Sequence, residues 1–153
     1  MPRIDLGDVA IEVPSAWEDR STHCFALPPE ALTRTPGVAP LTGGSPANVT
    51  LARLPVPDAF SDPVAYLNQA LTDFASSTVA FTLHSVSRLD RGPAPGAVAR
   101  YQLVTTEPIE QVRADLWLHD RILSLTGSSR AMCFDEFEPA FWSVFDSLRL
   151  PAV

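Results

Sequence analysis

The chain predicts an α+β fold, an antiparallel β-sheet with helices packed on one face, and three features carry that prediction. Ala97 to Thr106 and Ile109 to His119 are long stretches of strand-like hydrophobicity separated by little more than Glu107 and Pro108, and Arg121 to Ser128 follows after a corner at His119 and Asp120. Strands joined this closely form an antiparallel meander. By contrast, Phe134, Phe137, Phe141, Val144, Phe145 and Leu148 recur at helical spacings and form an apolar stripe. Asp62 before Pro63 marks the start of a second helix, the carboxylate capping free N–H groups and the proline occupying the first turn.

The elements follow in order. Val9 to Val13 alternates and stops at Pro14, a turn carries Trp17, and Ser21 to Leu27 alternates again, with His23, Phe25 and Leu27 on one side. Together they read as an opening hairpin. Residues 28–46 form a long irregular loop, and compact domains seldom carry one of that length unless it serves a function or moves. "ANVTLARL" (Ala47 to Leu54) is strand-like, with Val49, Leu51 and Arg53 on one side and Asn48, Thr50, Ala52 and Leu54 on the other. The helix after Asp62 runs to about Ser76, with Val64, Leu67, Leu71 and Phe74 on one face. Val79 to Leu89 returns to period two, and "DRGPAPG" is a loop. In the last helix Pro139 is tolerable only near the start. Each buried phenylalanine there contributes roughly 1.5–3 kcal/mol.

At 153 residues the chain fits one domain spanning 1–153, burying about 70% of its unfolded surface. With 46% hydrophobic and 19% charged residues it has ample material for a core. A net charge of −7, with all eleven cations arginine and none clustered, opposes nucleic acid as a partner. No run approaches the ~18 apolar residues of a membrane span. Asp5 and Asp8 interrupt the N-terminal stretch, so a signal peptide is not expected and the cytoplasm is the expected compartment. Cys24 and Cys133 suit that compartment as small buried hydrophobes.

Catalytic chemistry finds little foothold, and neither enzyme activity nor a cofactor is expected. His23, His84 and His119 are scattered without metal spacing, and no serine or cysteine sits in a nucleophile motif. "LTGGSP" lacks the lysine and helix of a phosphate loop. The carboxylates of "DEFE" (Asp135 to Glu138) precede an apolar helix, where they serve its dipole.

The informative surface is the second side of the meander. Val112, Ala114, Leu116 and Leu118 form an apolar row, so Gln111, Arg113, Asp115 and Trp117 project oppositely. If Ala99, Tyr101 and Leu103 are the buried row of the preceding strand, then Val98, Arg100, Gln102 and Val104 join that second side. Such a sheet face can simply be solvated. An exposed Trp117 among arginines is more typical of an interface. The expected partner-binding set is Val49, Leu51, Val98, Val104 and Trp117 for apolar cover, with Arg53, Arg100, Gln102, Arg113 and Asp115 meeting polar or backbone groups. The 28–46 loop would act as an adjustable rim.

The order "WEDRS" (Trp17 to Ser21), "FALP" (Phe25 to Pro28), an irregular loop, "ANVTLAR" (Ala47 to Arg53), "DPVAYLNQAL", a meander and a final "SLRL" resembles the DcrB-like family. Its members share the PsbP-like α/β sandwich. Within it the chain is most similar to the Eag chaperones of bacterial type VI secretion. That resemblance implies a cytoplasmic homodimer that shields the N-terminal transmembrane helices of an effector before export, cradling them in concave sheet faces without inserting into the membrane. A general protein-binding module of the same fold, or a carrier of a lipid or other small ligand, are the alternatives.

Overall fold

The computed structural model describes residues 3–5, 10–14, 18–21, 24–26, 47–77, 80–90, 93–104 and 106–150. The 28–46 loop, Trp17 and His23 lie outside them.

A seven-stranded antiparallel sheet forms the centre. Its strands are β3 (Glu18–Ser21), β4 (Cys24–Ala26), β5 (Ala47–Leu54), β6 (Phe81–Leu89), β7 (Gly96–Val104), β8 (Pro108–Trp117) and β9 (Ile122–Arg130), in the spatial order β3-β4-β5-β9-β8-β7-β6. The three-strand meander β7 to β9 is the expected one, β6 extends it at the far edge, and β5 closes against its last strand. The opening hairpin is corrected: β1 (Arg3–Asp5) and β2 (Ala10–Glu12) form a separate ribbon, while β3 pairs with β4. Ala10 exchanges both backbone hydrogen bonds with Arg149 (2.8 and 2.7 Å), and the Glu12 N–H donates to Ser147 Oγ at 2.6 Å. This ties β2 to the end of the last helix, and Ile11 and Val13 enter the same core.

Register decides which residues share a face. Ala99, Arg113, Thr126 and Thr50 stand side by side across β7, β8, β9 and β5, and the next row, Val98, Ala114, Leu125 and Leu51, points the other way. On this second face lies α2 (Phe134–Ser147), entered through a 3-10 turn at Ala131–Cys133. All six residues of the predicted stripe are buried in one cluster with Val49, Leu51, Val112, Ala114, Leu116, Leu123 and Leu125. Gly127 lies directly beneath Phe141, whose ring a β-carbon there would strike, so the helix approaches the sheet only because that site is glycine. Pro139 sits a full turn inside α2 and not in its first turn. It is exposed, so water can serve the carbonyl its missing N–H leaves free.

The other helix, α1 (Pro63–Ser77), starts as expected, with the Val64 N–H donating to Asp62 Oδ1 at 3.3 Å. Leu67 and Leu71 pack on Ala97, Ala99 and Tyr101, with Val64, Phe81 and Leu83 at the margin. The alanines let the helix come close.

The expected class, an antiparallel sheet with helices packed on it, is what the chain adopts. The placement of both helices on one face is corrected, because the row that receives α1 (Ala97, Ala99, Tyr101) alternates along β7 with the row facing α2. The two helices therefore take opposite faces. Among the described residues no helix is long and apolar enough to cross a membrane.

Candidate functional site

The covering of the two faces is unequal. α1 lies over β6, β7 and one end of β8, and beside it β5, β9 and the rest of β8 leave a groove of about 360 Å³. Its floor is Thr50, Ala52, Ser124 and Thr126, its wall is the α1 side bearing Ala70, Leu71 and Phe74, and Leu54 stands at one end. The alternation of β5 produces this directly: Val49 and Leu51 are buried under α2 while Thr50 and Ala52 are exposed. Phe74, 44% exposed, stacks edge-on against Phe81 at 5.7 Å and keeps an open apolar surface on the rim.

Charge enters at the inner edge. Asp115 is fully buried and accepts two hydrogen bonds from Arg113, Nε to Oδ1 at 2.8 Å and Nη2 to Oδ2 at 3.0 Å. The residues are two apart on β8 and so point to the same face. Burial opposes the guanidinium charge of Arg113, but the hydrogen bonds and charge of Asp115 more than offset it, and its pKa lies above the ordinary arginine value. Tyr101, buried beside the pair, has its pKa pushed up to about 12, chiefly by desolvation, with Arg113 opposing and Asp115 adding. Gln111 donates from Nε2 to Ser128 Oγ at 2.8 Å. The groove thus offers small hydroxyl and methyl groups, an apolar rim, and an arginine whose charge is matched internally.

Trp117 shares the groove's face, in one row with Ile122 and Leu54 across β8, β9 and β5, but stands outside the groove's lining. It is half-buried, with the Tyr66 ring of α1 packed edge-on at 5.8 Å and Phe60 against Tyr66 at 5.8 Å. This corrects the expectation of an exposed tryptophan. Its indole N–H is buried and meets no acceptor among the described residues.

The expected partner-binding set is split by the sheet. Arg113, Asp115 and Trp117 lie on the groove face, whereas Val49, Leu51, Arg53, Val98, Arg100, Gln102 and Val104 belong to rows on the α2 face. Val49 and Leu51 are closed beneath α2. The physical reason is that α1 buries one row of β7 (Ala97, Ala99, Tyr101) while the α2 core takes the opposite row of β8 (Val112, Ala114, Leu116), so the buried rows of these neighbouring strands lie on opposite faces, with Ala99 beside Arg113 and Arg100 beside Val112. Arg100 instead fastens α2 to the sheet. Its Nε donates to Glu110 Oε2 at 2.7 Å, its guanidinium lies 4.4 Å over the Phe134 ring, and Asp135 and Glu138 approach it at 3.8 Å. Glu110 is 5% exposed and also meets His84 Nε2 at 3.1 Å.

Sequence reasoning missed Thr50, Ala52, Leu54, Ser124, Thr126 and Phe74 as parts of the site. The available signal was the run of small polar residues at alternate positions of β5 and β9, facing neither core row. Cys133, at the start of α2, is buried as expected, and burial pushes its thiol pKa up, with Glu136 adding and Arg130 opposing. The Cys24 side chain lies outside the description.

No protein-family model matches the chain, and no curated protein matches its sequence. Solved structures do. PA94 of Pseudomonas aeruginosa, a protein of unknown function, is 19% identical over 100% of this chain and 99% of its own, with a TM-score of 0.66. LpqN of Mycobacterium tuberculosis, involved in cell envelope biogenesis, is 12% identical over 98% and 90%, with a TM-score of 0.66. CyanoP, the PsbP of Synechocystis sp. PCC 6803, is 11% identical over 94% and 87%, with a TM-score of 0.61. At such identities the shared feature is the fold, and the chain has the PsbP-like α+β fold.

Proposed function

We propose that this chain is a protein-binding module that takes an apolar helix into the groove beside α1. In its specific form it is a chaperone or adaptor that shields the N-terminal transmembrane helices of a type VI secretion effector before export, as the resemblance to the Eag chaperones implies. The observation that carries the reading is the groove itself, with its floor of threonine, serine and alanine and its rim of Leu54, Leu71 and Phe74. Small side chains on one surface let a helix approach closely, as they do between helices in a membrane. Apolar rim residues then cover what water would otherwise meet. The revised contact set is Arg113 from the expected residues, joined by Thr50, Ala52, Thr126 and Phe74.

A lipid carrier would use an enclosed apolar cavity. The space described between α2 and the sheet, at Leu116, Leu125, Trp142 and Phe145, is about 10 Å³, room for no more than one water. The groove has the volume of a small-ligand pocket, about 300–1,000 Å³, but it is bordered by exposed residues along its length.

The test is co-expression with the membrane-segment region of an effector encoded beside this chain, followed by purification without detergent and sizing of the complex. A soluble stoichiometric complex is expected, and its size also tests the proposed homodimer. An effector segment that stays insoluble while this chain purifies alone overturns the chaperone reading.

A further inference from the structure

Resting on the groove as a helix-binding site, we propose that Arg113 sets which helix it takes: an apolar helix carrying one uncharged hydrogen-bond acceptor, the side chain of a glutamine, asparagine or serine, over the row formed by Arg113, Thr126 and Thr50. A lysine or a carboxylate at that position is rejected.

Strand register places the row at the middle of the groove. Arg113, Thr126 and Thr50 stand side by side across β8, β9 and β5, and all three line the groove. Ser124 and Ala52 form the next row towards Leu54, and Gln111 belongs to the next row the other way, beside Tyr101. Apolar groups bound this polar band at both ends. Leu54 stands beyond Ala52, and Phe74 packs on Phe81, whose partner Leu103 lies beyond Tyr101. A helix along the groove therefore covers apolar surface at each end and sets a residue over the row between them.

The row is rich in donors. An arginine has five N–H groups. Asp115 takes one from Nε and one from Nη2 of Arg113, while Nη1 meets no acceptor among the described residues and is not closed off from solvent. The side chain is 17% exposed, on a sheet face whose open part is the groove. A wholly apolar helix strips water from these donors and returns nothing, whereas one acceptor replaces the lost hydrogen bond.

Charge decides which acceptor. Among the described residues no carboxylate lines the groove, because Asp115 is fully buried and both its oxygens are held by Arg113. An incoming lysine thus finds no counter-charge and faces a guanidinium. An incoming carboxylate loses its hydration beside a cation already matched, with Asp115 repelling it. An amide or hydroxyl loses the least hydration and still accepts from Nη1.

The test uses four lysine-flanked peptides of about 20 residues, rich in leucine and alanine and differing only in a central alanine, glutamine, glutamate or lysine. Their affinities for the full chain are measured by titration calorimetry at neutral pH. The glutamine peptide is expected to bind about fivefold to tenfold more tightly than the alanine peptide, and the glutamate and lysine peptides more weakly than it. In the double variant Arg113→Leu with Asp115→Ala, which removes the pair without stranding either charge, the glutamine and alanine peptides should bind equally. Equal binding of those two by the unmutated chain, tightest binding of the glutamate or lysine peptide, or a glutamine preference that survives in the double variant overturns this selection while leaving helix binding intact. If none of the four peptides binds the unmutated chain, helix binding itself is overturned.

Discussion

The two faces of the sheet are built from the same strands and treated differently. On one, α2 lays Phe134, Phe137, Phe141 and Phe145 over Val49, Leu51, Val112, Ala114, Leu123 and Leu125, and ties its ends down through Arg100 at one and Ser147 at the other. On the other, α1 rests on Ala97, Ala99 and Tyr101 with Leu67 and Leu71, leaving the β5–β9 half bare. One face is specified by close packing, the other by what it leaves open. Stability should therefore follow the first and binding the second.

Substitutions that exchange these roles test the contrast most severely. Phe141→Ala empties the centre of the α2 face above Gly127 and should lower the unfolding free energy by about 3–5 kcal/mol, read from denaturant titration. A loss below about 1 kcal/mol would mean that α2 does not seal that face.

Asp115→Ala probes the inner edge of the groove. It strands the Arg113 guanidinium, whose side chain is 17% exposed, and should destabilise by about 3 kcal/mol. The double variant Arg113→Leu with Asp115→Ala should recover much of that loss, because breaking a buried pair is worse than removing it. A double variant as unstable as the single would show that the pair holds the sheet together and is not simply a matched charge.

Alkaline pH isolates Tyr101. Its folded pKa of about 12 lies above the unfolded value of 10.0, so the protonated phenol is favoured by folding. The associated stability is fully present below pH 10 and is lost as pH rises from 10 toward 12, amounting to roughly 2–3 kcal/mol. Stability measured across that window should fall in the unmutated chain, and Tyr101→Phe should remove this part of the slope. An unchanged slope would place the alkaline loss elsewhere.

The smallest expected effect on stability carries the largest expected effect on binding. Ala52→Arg puts a long cation on the exposed floor and should change the unfolding free energy by no more than about 0.5 kcal/mol while abolishing capture of an apolar helix. Its neighbour Leu51, one residue away, points into the opposite core, so Leu51→Arg should unfold the chain. If Ala52→Arg still captures the helix in a detergent-free pull-down, the groove is not the binding surface.

Several elements were legible because a single periodicity carried them. The α2 stripe repeats with the helical period over its whole length, Asp62 and Pro63 begin α1 by local chemistry, and the short connections of β7 to β9 leave little choice but a meander. Seven of the ten expected binding residues nevertheless fell on the α2 face. Along β8 the alternation of Val112, Ala114 and Leu116 with Gln111, Arg113 and Asp115 is clear, and the structure keeps it. Along β7 Ala99 and Tyr101 are buried as read, but under α1, so their row lies beside Arg113 and not beside Val112. Trp117 was singled out as exposed, yet its surroundings come from Tyr66 and Phe60, distant in sequence.

The sequence by itself determined both helices, the strands from β5 to β9 and the order in which the meander strands pair, since these follow from local propensity, caps and short loops. Only the tertiary structure decided which row of β7 lies beside Arg113, that α1 and α2 take opposite faces, and that a groove remains between α1 and β5. Those outcomes depend on the register between strands and on where a helix stops covering a sheet, and no periodicity within one segment records either.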